Sequence, residues 1–423
     1  MAKKKLEKPR REVTKRQLSH WQQQKKRQRI IVSLGIFVVV IVLAIVGVGW
    51  YFGYYQPSHQ VVIEVDKTEF TMDYYIKVLK VYGEGWPVQY MDFLADEVVT
   101  VIERNELMRK GALGLGISAS DKEIEEKLKS YDPPLSKDYR DIARTEILID
   151  KLLDRHFEYE VQQLAEQRHI MAMFLESESQ AAEVRARIEA GEGFAELAAE
   201  LSLDGFSKNN KGDLDWHPED VLVELLATSI PGEHAFSAEV GVSSQPIYDE
   251  TKNKSVGYWL VKILDSHQEP QQVQVQAMLL GSEEETQRVR ARLEAGEDFA
   301  TLAEELSQHA ATRESGGDFD WVSPEDIAPG STFAAWVDIF KLETGAISEP
   351  IRDDAMITTG GYWLLEVLAK EDDRQISDDD RGLLKARALD NWVLSLWSDY
   401  GDEISSYLTD EMKEWAIAKA TEE

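Results

Sequence analysis

The chain contains no cysteine. That absence excludes every disulfide and any anchor attached through a lipid-modified cysteine. Histidine is sparse: the eight present include no HxxxH or HExxH pairing, and no glycine-rich phosphate loop precedes a helix, so neither a metal nor a cofactor is expected. Basic charge is scarce outside one segment. Residues 1–29 hold twelve Lys or Arg against Glu7 and Glu12, so the formal charge of -31 divides into about +10 in this head and -41 over the rest. Nucleic-acid binding by so acidic a body is not expected.

The one long hydrophobic run starts at Ile30 and reads IIVSLGIFVVVIVLAIVGVGWYFGYY, with no charged residue before Glu64. As a helix it is long enough to cross a hydrocarbon core of about 30 Å. Trp50, Tyr51, Tyr54 and Tyr55 at its far end suit the headgroup layer, and the basic residues on the near side place the N-terminus in the cytoplasm. The run is longer than a signal-peptide core and ends in bulky aromatics instead of a small-residue cleavage site. The expectation is a basic cytoplasmic tail (1–29), an uncleaved transmembrane anchor (30–55), and a single-pass protein of the cell membrane with its bulk outside the cytoplasm.

Beyond the anchor, VVIEV (61–65) is a strand candidate. Leu94, Val98, Val101, Ile102 and Met108 recur every three to four residues and predict a helix with one buried face. Ser120 followed by Glu123 has the spacing of a capping box ahead of another helix, which Pro133-Pro134 ends. Ile142, Leu148, Ile149 and Leu152 predict an amphipathic helix over roughly 139–164. Near the far end, Leu384, Ala388, Trp392 and Leu396 recur every four residues. A lone helix of this kind is marginal in water, so it is expected to pack on the helical region 60–164.

Between these ends the chain repeats itself. Residues 184–202 read VRARIEAGEGFAELAAELS and residues 289–307 read VRARLEAGEDFATLAEELS, identical at 15 of 19 positions at an offset of 105. Such a match marks a duplicated module of about a hundred residues. In each copy an apolar stripe follows a Gly-containing break, as at Phe194, Leu197, Ala198 and Leu201 after Gly191. Each copy ends on a strand pattern, Gly257-Tyr258-Trp259-Leu260-Val261 and Gly361-Tyr362-Trp363-Leu364-Leu365.

FAELAAELS (194–202), the turns Gly212-Asp213-Leu214 and Gly316-Gly317-Asp318-Phe319, and the segments GVSSQP (241–246) and GAISEP (345–350) together resemble the parvulin-type peptidyl-prolyl isomerase domain. With the looser NELMRKGALGLGISASDKEI stretch (105–124), the whole order resembles the SurA, PrsA and PpiD group of extracytoplasmic folding factors. The resemblance implies an α+β protein: a helical chaperone domain like the SurA N-terminal domain (57–164), two tandem parvulin-like α+β domains (165–268 and 271–371), and a C-terminal helix (376–423) completing the chaperone domain.

Rotating a prolyl bond crosses a barrier of about 18–20 kcal/mol. Parvulins act on it with an apolar pocket beside a cluster in which two histidines flank a Cys or Asp. The resemblance places the first histidine position on Ala172 and Ala277, and the second on Trp259 and Trp363. His169, three residues before Ala172, points to the opposite strand face and is read as a surface histidine. At the acidic position the copies carry Asp204 and His309. Asp204 is thus the one catalytic candidate, with a solvated turn residue as its plainer reading. The candidate substrate-binding residues are Leu214, Phe236 and Trp259 in the first copy and Phe319, Phe340 and Trp363 in the second. Each tryptophan either floors an open groove or fills a core whose volume Ala plus Trp conserves. The alternating carboxylates of Asp213, Asp215, Asp318 and Asp320 are too few oxygens for a hard cation and read as a solvated face.

Three functions remain open on these grounds: a membrane-anchored extracytoplasmic chaperone that binds unfolded or nascent secreted polypeptides, an active isomerase of the same architecture, and a structural or regulatory partner of one envelope protein. The Ala and Trp substitutions oppose the second.

Overall fold

The computed structural model describes residues 37–269 and 271–421. The basic head, and the part of the apolar run before Phe37, lie outside them. Two compact units result: residues up to His156 joined by those from Leu389 onward, and Phe157–Ala388.

The first unit begins with α1 (Phe37–His59), whose most apolar stretch has no buried residue and which is the one helix among the described residues long and apolar enough to cross a membrane. β1 (Val61–Val65) and β2 (Thr68–Thr71) pair antiparallel, and the strand Ile404–Ser406 adds to the other side of β1. Helices α2 (Met72–Tyr82), α3 (Met91–Gly114), α4 (Asp121–Ser130) and α5 (Arg140–Leu152) follow. α4 opens with the reciprocal cap its sequence predicts, since Glu123 N–H donates to Ser120 Oγ and Ser120 N–H to the Glu123 carboxylate.

The helix expected over 139–164 is shorter. After a π-turn at Leu153–Phe157 helical structure ends at Glu160, and Leu164 starts a strand. Leu164 and Ala165 pair with Gln375 and Arg374, and this ladder outweighs the local helical pattern. The core of the unit joins Ile63, Tyr75, Leu79, Val98 and Ile102 to Leu396 and Ala416 from the far end of the chain. At Gly111 of α3 a Cβ would lie 2.6 Å from Trp392 Cζ2 and 2.7 Å from Leu396 Cδ1, so only glycine lets the C-terminal helix approach this closely.

The second unit holds two four-stranded lobes. Its strands and the helices that cover one face of each sheet are, in order, β3 (Leu164–Leu175), α6 (Glu178–Glu189), α7 (Phe194–Leu201), β4 (Asp213–His217), β5 (Ile247–Lys254), β6 (Gly257–Gln268), β7 (Gln271–Leu280), α8 (Glu283–Glu294), α9 (Phe299–Leu306), β8 (Asp318–Val322), β9 (Ile351–Asp353) and β10 (Thr358–Gln375). The first sheet runs β4-β3-β10-β5 and the second β8-β7-β6-β9.

The expectation that each copy closes on its own Gly-Tyr-Trp strand is therefore corrected. β6, from the first copy, pairs with β7 and β9 of the second, while β10, from the second copy, pairs with β3 and β5 of the first. In space, the spans 165–268 and 271–371 are not separate lobes. The physical reason lies in the connections: β6 and β7 form a local hairpin, with Trp259 opposite Leu279 and Ser266 opposite Val273, whereas only Ser255 and Val256 separate β5 from β6, and the chain runs on between lobes instead of turning back. In the first lobe α6 and α7 cover one sheet face through Val184, Phe194 and Leu197. α8 and α9 do the same in the second through Val289, Phe299 and Leu302.

Candidate functional site

The opposite face of each sheet carries the residues singled out in the sequence. In the first lobe Trp363 stands on β10 opposite Phe174 and Ala172 stands opposite Leu365, so Ala172 and Trp363 are diagonal neighbours on one face. Trp363 is fully buried. Its indole N–H donates to Asp249 Oδ2 at 3.0 Å. Asp249 also accepts from the Thr228 hydroxyl at 2.7 Å and from Thr251 N–H and Oγ1. Burial works to raise its pKa, but the bonds from Thr228, Trp363 and Thr251 prevail and hold the carboxyl below the usual range. Asp204 caps the short helix Gly205–Asn209 through Ser207 N–H and makes a 2.7 Å ion pair with Lys252. Lys252 donates in turn to Leu226 O and lies 5.6 Å from the centre of the Trp363 ring. Leu214 is buried on this face and Phe236 packs at its margin.

The second lobe repeats the arrangement with different chemistry. Trp259 on β6 is fully buried, shares a face with Ala277, and donates to Asp353 Oδ2 at 3.1 Å. Where the first lobe has Asp204, His309 lies 5.2 Å from the Trp259 ring, and burial lowers its pKa. Where the first lobe has Lys252, Met356 packs against the apolar cluster. Trp336 and Phe333 complete an aromatic group around Trp259, with ring centres 5.1 and 5.7 Å away, and Phe319 and Phe340 adjoin it.

Residues 169–265 and 266–368 match the family model of the PPIC-type peptidyl-prolyl isomerase (rotamase) domain, one copy each. The two repeats are parvulin-type domains. The chain is similar to the chaperone SurA of Hahella chejuensis, 28% identical over 54% of this chain and 52% of that protein. It is also similar to the foldase protein PrsA of Caldanaerobacter subterraneus, 30% identical over 41% of this chain and 58% of that protein. It thus spans little more than half the length of these relatives. Among solved structures, the peptidylprolyl isomerase PrsA of Bacillus anthracis aligns with 75% of this chain and 93% of its own, at 11% identity and a TM-score of 0.29.

The strand exchange re-sorts the candidate residues of the parvulin-type repeats. Leu214, Phe236 and Ala172 meet Trp363, not Trp259; Phe319, Phe340 and Ala277 meet Trp259, not Trp363. Both tryptophans are core residues in this structure. His169 lies with the opposite face of β3, where Nε2 is 2.7 Å from Asp213 Oδ1. The partners missed in the sequence are Asp249, Asp353 and Lys252. The two aspartates were detectable, since each follows the Gly-x-x-Ser-x-Pro segment of its copy at the same distance, in IYD and IRD.

An open site lies in the first unit. A cavity of about 350 Å³ sits among β2, α2, α3 and α5, with Phe70, Ile102, Leu113 and Leu148 among its apolar walls. Its charges cancel: Arg109 bonds both oxygens of the buried Glu106, which also accepts from Thr68, and Arg144 bonds Asp141. Burial, reinforced by Asp141, pushes the Tyr74 phenol far above its ordinary value, so it stays a neutral donor. Asn105 also lines the cavity. A mixed lining of apolar side chains and mutually paired charges, with no net charge, suits a neutral group that has both apolar and polar parts.

Proposed function

We propose that the protein is a membrane-anchored extracytoplasmic folding factor that holds unfolded or nascent secreted polypeptides, and that its parvulin-type repeats serve as scaffold and not as isomerases. The observation that carries this reading is the burial of Trp259 and Trp363 at the positions the resemblance assigns to the second family histidine. With Ala172 and Ala277 at the first, neither lobe has paired imidazoles at these positions. Asp204 is buried, paired with Lys252 and bonded to the helix it caps, which favours a structural role over both the catalytic and the solvated-turn readings. The cavity of the first unit supplies a place for an apolar client side chain, and α1 supplies the anchor that keeps the site beside the membrane.

The test uses the full chain in detergent and two assays: suppression of aggregation of a chemically unfolded protein, and acceleration of a proline-limited refolding reaction. Aggregation is expected to be suppressed and refolding not accelerated. Leu113→Asp, on the exposed rim of the cavity, is expected to weaken holding at least fivefold with little change in Tm. Acceleration of refolding that Asp204→Ala abolishes would establish the isomerase reading instead. Indifference to every unfolded protein tried would leave the single-partner reading standing.

A further inference from the structure

The two exchanged strands make the same bonds in their adopted lobes. On β6, Gly257, Tyr258 and Trp259 face Asp353, Arg352 and Ile351; on β10, Gly361, Tyr362 and Trp363 face Asp249, Tyr248 and Ile247. Val261 N–H donates to Ser348 Oγ at 3.0 Å, and Leu365 N–H to Ser244 Oγ at 3.0 Å. The serine N–H groups donate back to Val261 O and Leu365 O at 2.8 and 2.7 Å. Each strand therefore fills the slot its counterpart would fill, with the same register and the same indole-to-aspartate bond.

An uncrossed chain, in which each copy keeps its own strand, would have to open the β6–β7 hairpin; beyond that, what distinguishes the observed pairing lies at the crossing. There Lys254 pairs with Thr358 and Asn253 with Thr359. Trp259 and Trp363 occupy equivalent places at an offset of 104, and so do Lys254 and Thr358. Equivalent residues thus face each other across a local two-fold axis, the mark of an isologous exchange. The crossing is well bonded: buried Lys254 donates to Thr359 O and Gly360 O, and the Thr358 hydroxyl to the carbonyl of buried Val256. In an uncrossed chain these bonds are lost, because 250–256 and 354–360 become turns.

We propose that the two Gly-Tyr-Trp strands are interchangeable occupants of the two lobes, that the chain has a second closed form in which each repeat keeps its own strand, and that the Lys254–Thr358 crossing selects the exchanged form. Selection at the crossing ties the lobes together by two chain segments that run in opposite directions, so the pair moves as one body and not as two beads on a linker.

The chain's lack of cysteine makes a direct test possible in the full-length protein. Tyr248→Cys with Tyr362→Cys reports the exchanged form, since these residues are directly opposite with ring centres 5.2 Å apart. Tyr248→Cys with Tyr258→Cys reports the uncrossed form. After bridging with a short bis-maleimide, the first pair is expected to link within the chain in more than about nine molecules in ten, and the second in fewer than about one in ten. Adding Lys254→Gly and Thr358→Gly is expected to raise the second signal at least fivefold at the expense of the first.

An unchanged ratio in that background overturns selection by the crossing, as does a dominant second signal without it. Links between chains in place of links within them overturn the intrachain form. Interchangeability has its own test, independent of the glycine variants' stability. Val261→Leu, Lys262→Glu and Ile263→Val together give β6 the sequence of β10 over this stretch. The variant is expected to fold with Tm within a few degrees and to keep the first link; loss of folding overturns interchangeability.

Discussion

Trp259 and Asp353 stand 94 positions apart in the chain, and the indole N–H of one meets the carboxylate of the other at 3.1 Å on a buried sheet face. Trp363 and Asp249 repeat the contact at 3.0 Å in the other lobe. A buried donor left without its acceptor costs about 1–3 kcal/mol, and more when a charged group is involved. Asp353→Ala is therefore expected to destabilise the second unit by about 2 kcal/mol in urea unfolding. In the Trp259→Phe background, where no indole N–H remains to be orphaned, the same substitution is expected to cost less; equal costs in both backgrounds would show the bond contributes nothing.

The two lobes fill equivalent positions with different residues, the ion-paired Asp204 and Lys252 in the first and His309 and Met356 in the second. Asp204 and Lys252 are both well buried, and removing one partner of a buried ion pair costs about 3–5 kcal/mol. Asp204→His alone strands the lysine charge and is expected to lower stability by about that much. Adding Lys252→Met reproduces the pair of the second lobe and is expected to recover at least half of the loss. Calorimetry of the single and double variants checks this.

Burial pushes the Lys254 ammonium down to about 8, against the opposing pull of Glu285 and Glu176. Below that pH both folded and unfolded chains hold the proton, and the folded state bears the full penalty of a buried charge. Between about 8 and 10.5 the folded chain releases the proton while the unfolded chain keeps it, so stability rises with pH through this window. The rise is expected to be at most roughly 3 kcal/mol, at about 1.4 kcal/mol per unit. It should disappear in Lys254→Met, whose unfolding curves at pH 7.5 and 10 should then differ only as much as the remaining groups require.

Gly111 carries the approach of the C-terminal helix to α3. A methyl group there meets the Trp392 ring and a Leu396 methyl, and overpacking of this kind costs about 1–3 kcal/mol. Gly111→Ala is expected to lower the Tm of the first unit even though alanine is the better helix former by about 1 kcal/mol. Trp392→Leu in the same chain should restore part of it.

How much of this was legible in the sequence follows from the range of each signal. The capping box at Ser120 and Glu123 and the stripe of α7 are local patterns, and each appears where its spacing places it; the apolar run is helical from Phe37, the first described residue, to His59. The strand exchange was not legible, because both closing strands carry the same Gly-Tyr-Trp motif and either fits either slot. The helix expected up to Leu164 failed for a related reason: Leu164 and Ala165 are held by residues 374 and 375, a partner that no local window contains. The strand Ile404–Ser406, which pairs with β1, was missed on the same ground. At the candidate site Ala172 shares a sheet face with Trp363 and Ala277 with Trp259, and which tryptophan meets which alanine is set by topology.

The closing elements of both units come late in the chain. The first lobe lacks its central strand until β10 is available, and the core of the first unit lacks Leu396 and Ala416 until the last residues are present. As the polypeptide emerges from its N-terminus, the hairpin-based second lobe is thus the first part that has all of its strands. Everything before it waits, with open sheet edges and an unfilled helical core, for segments not yet made. A chain built this way stays incompletely folded for most of its own synthesis, and one truncated even a few tens of residues early is left with no finished first unit.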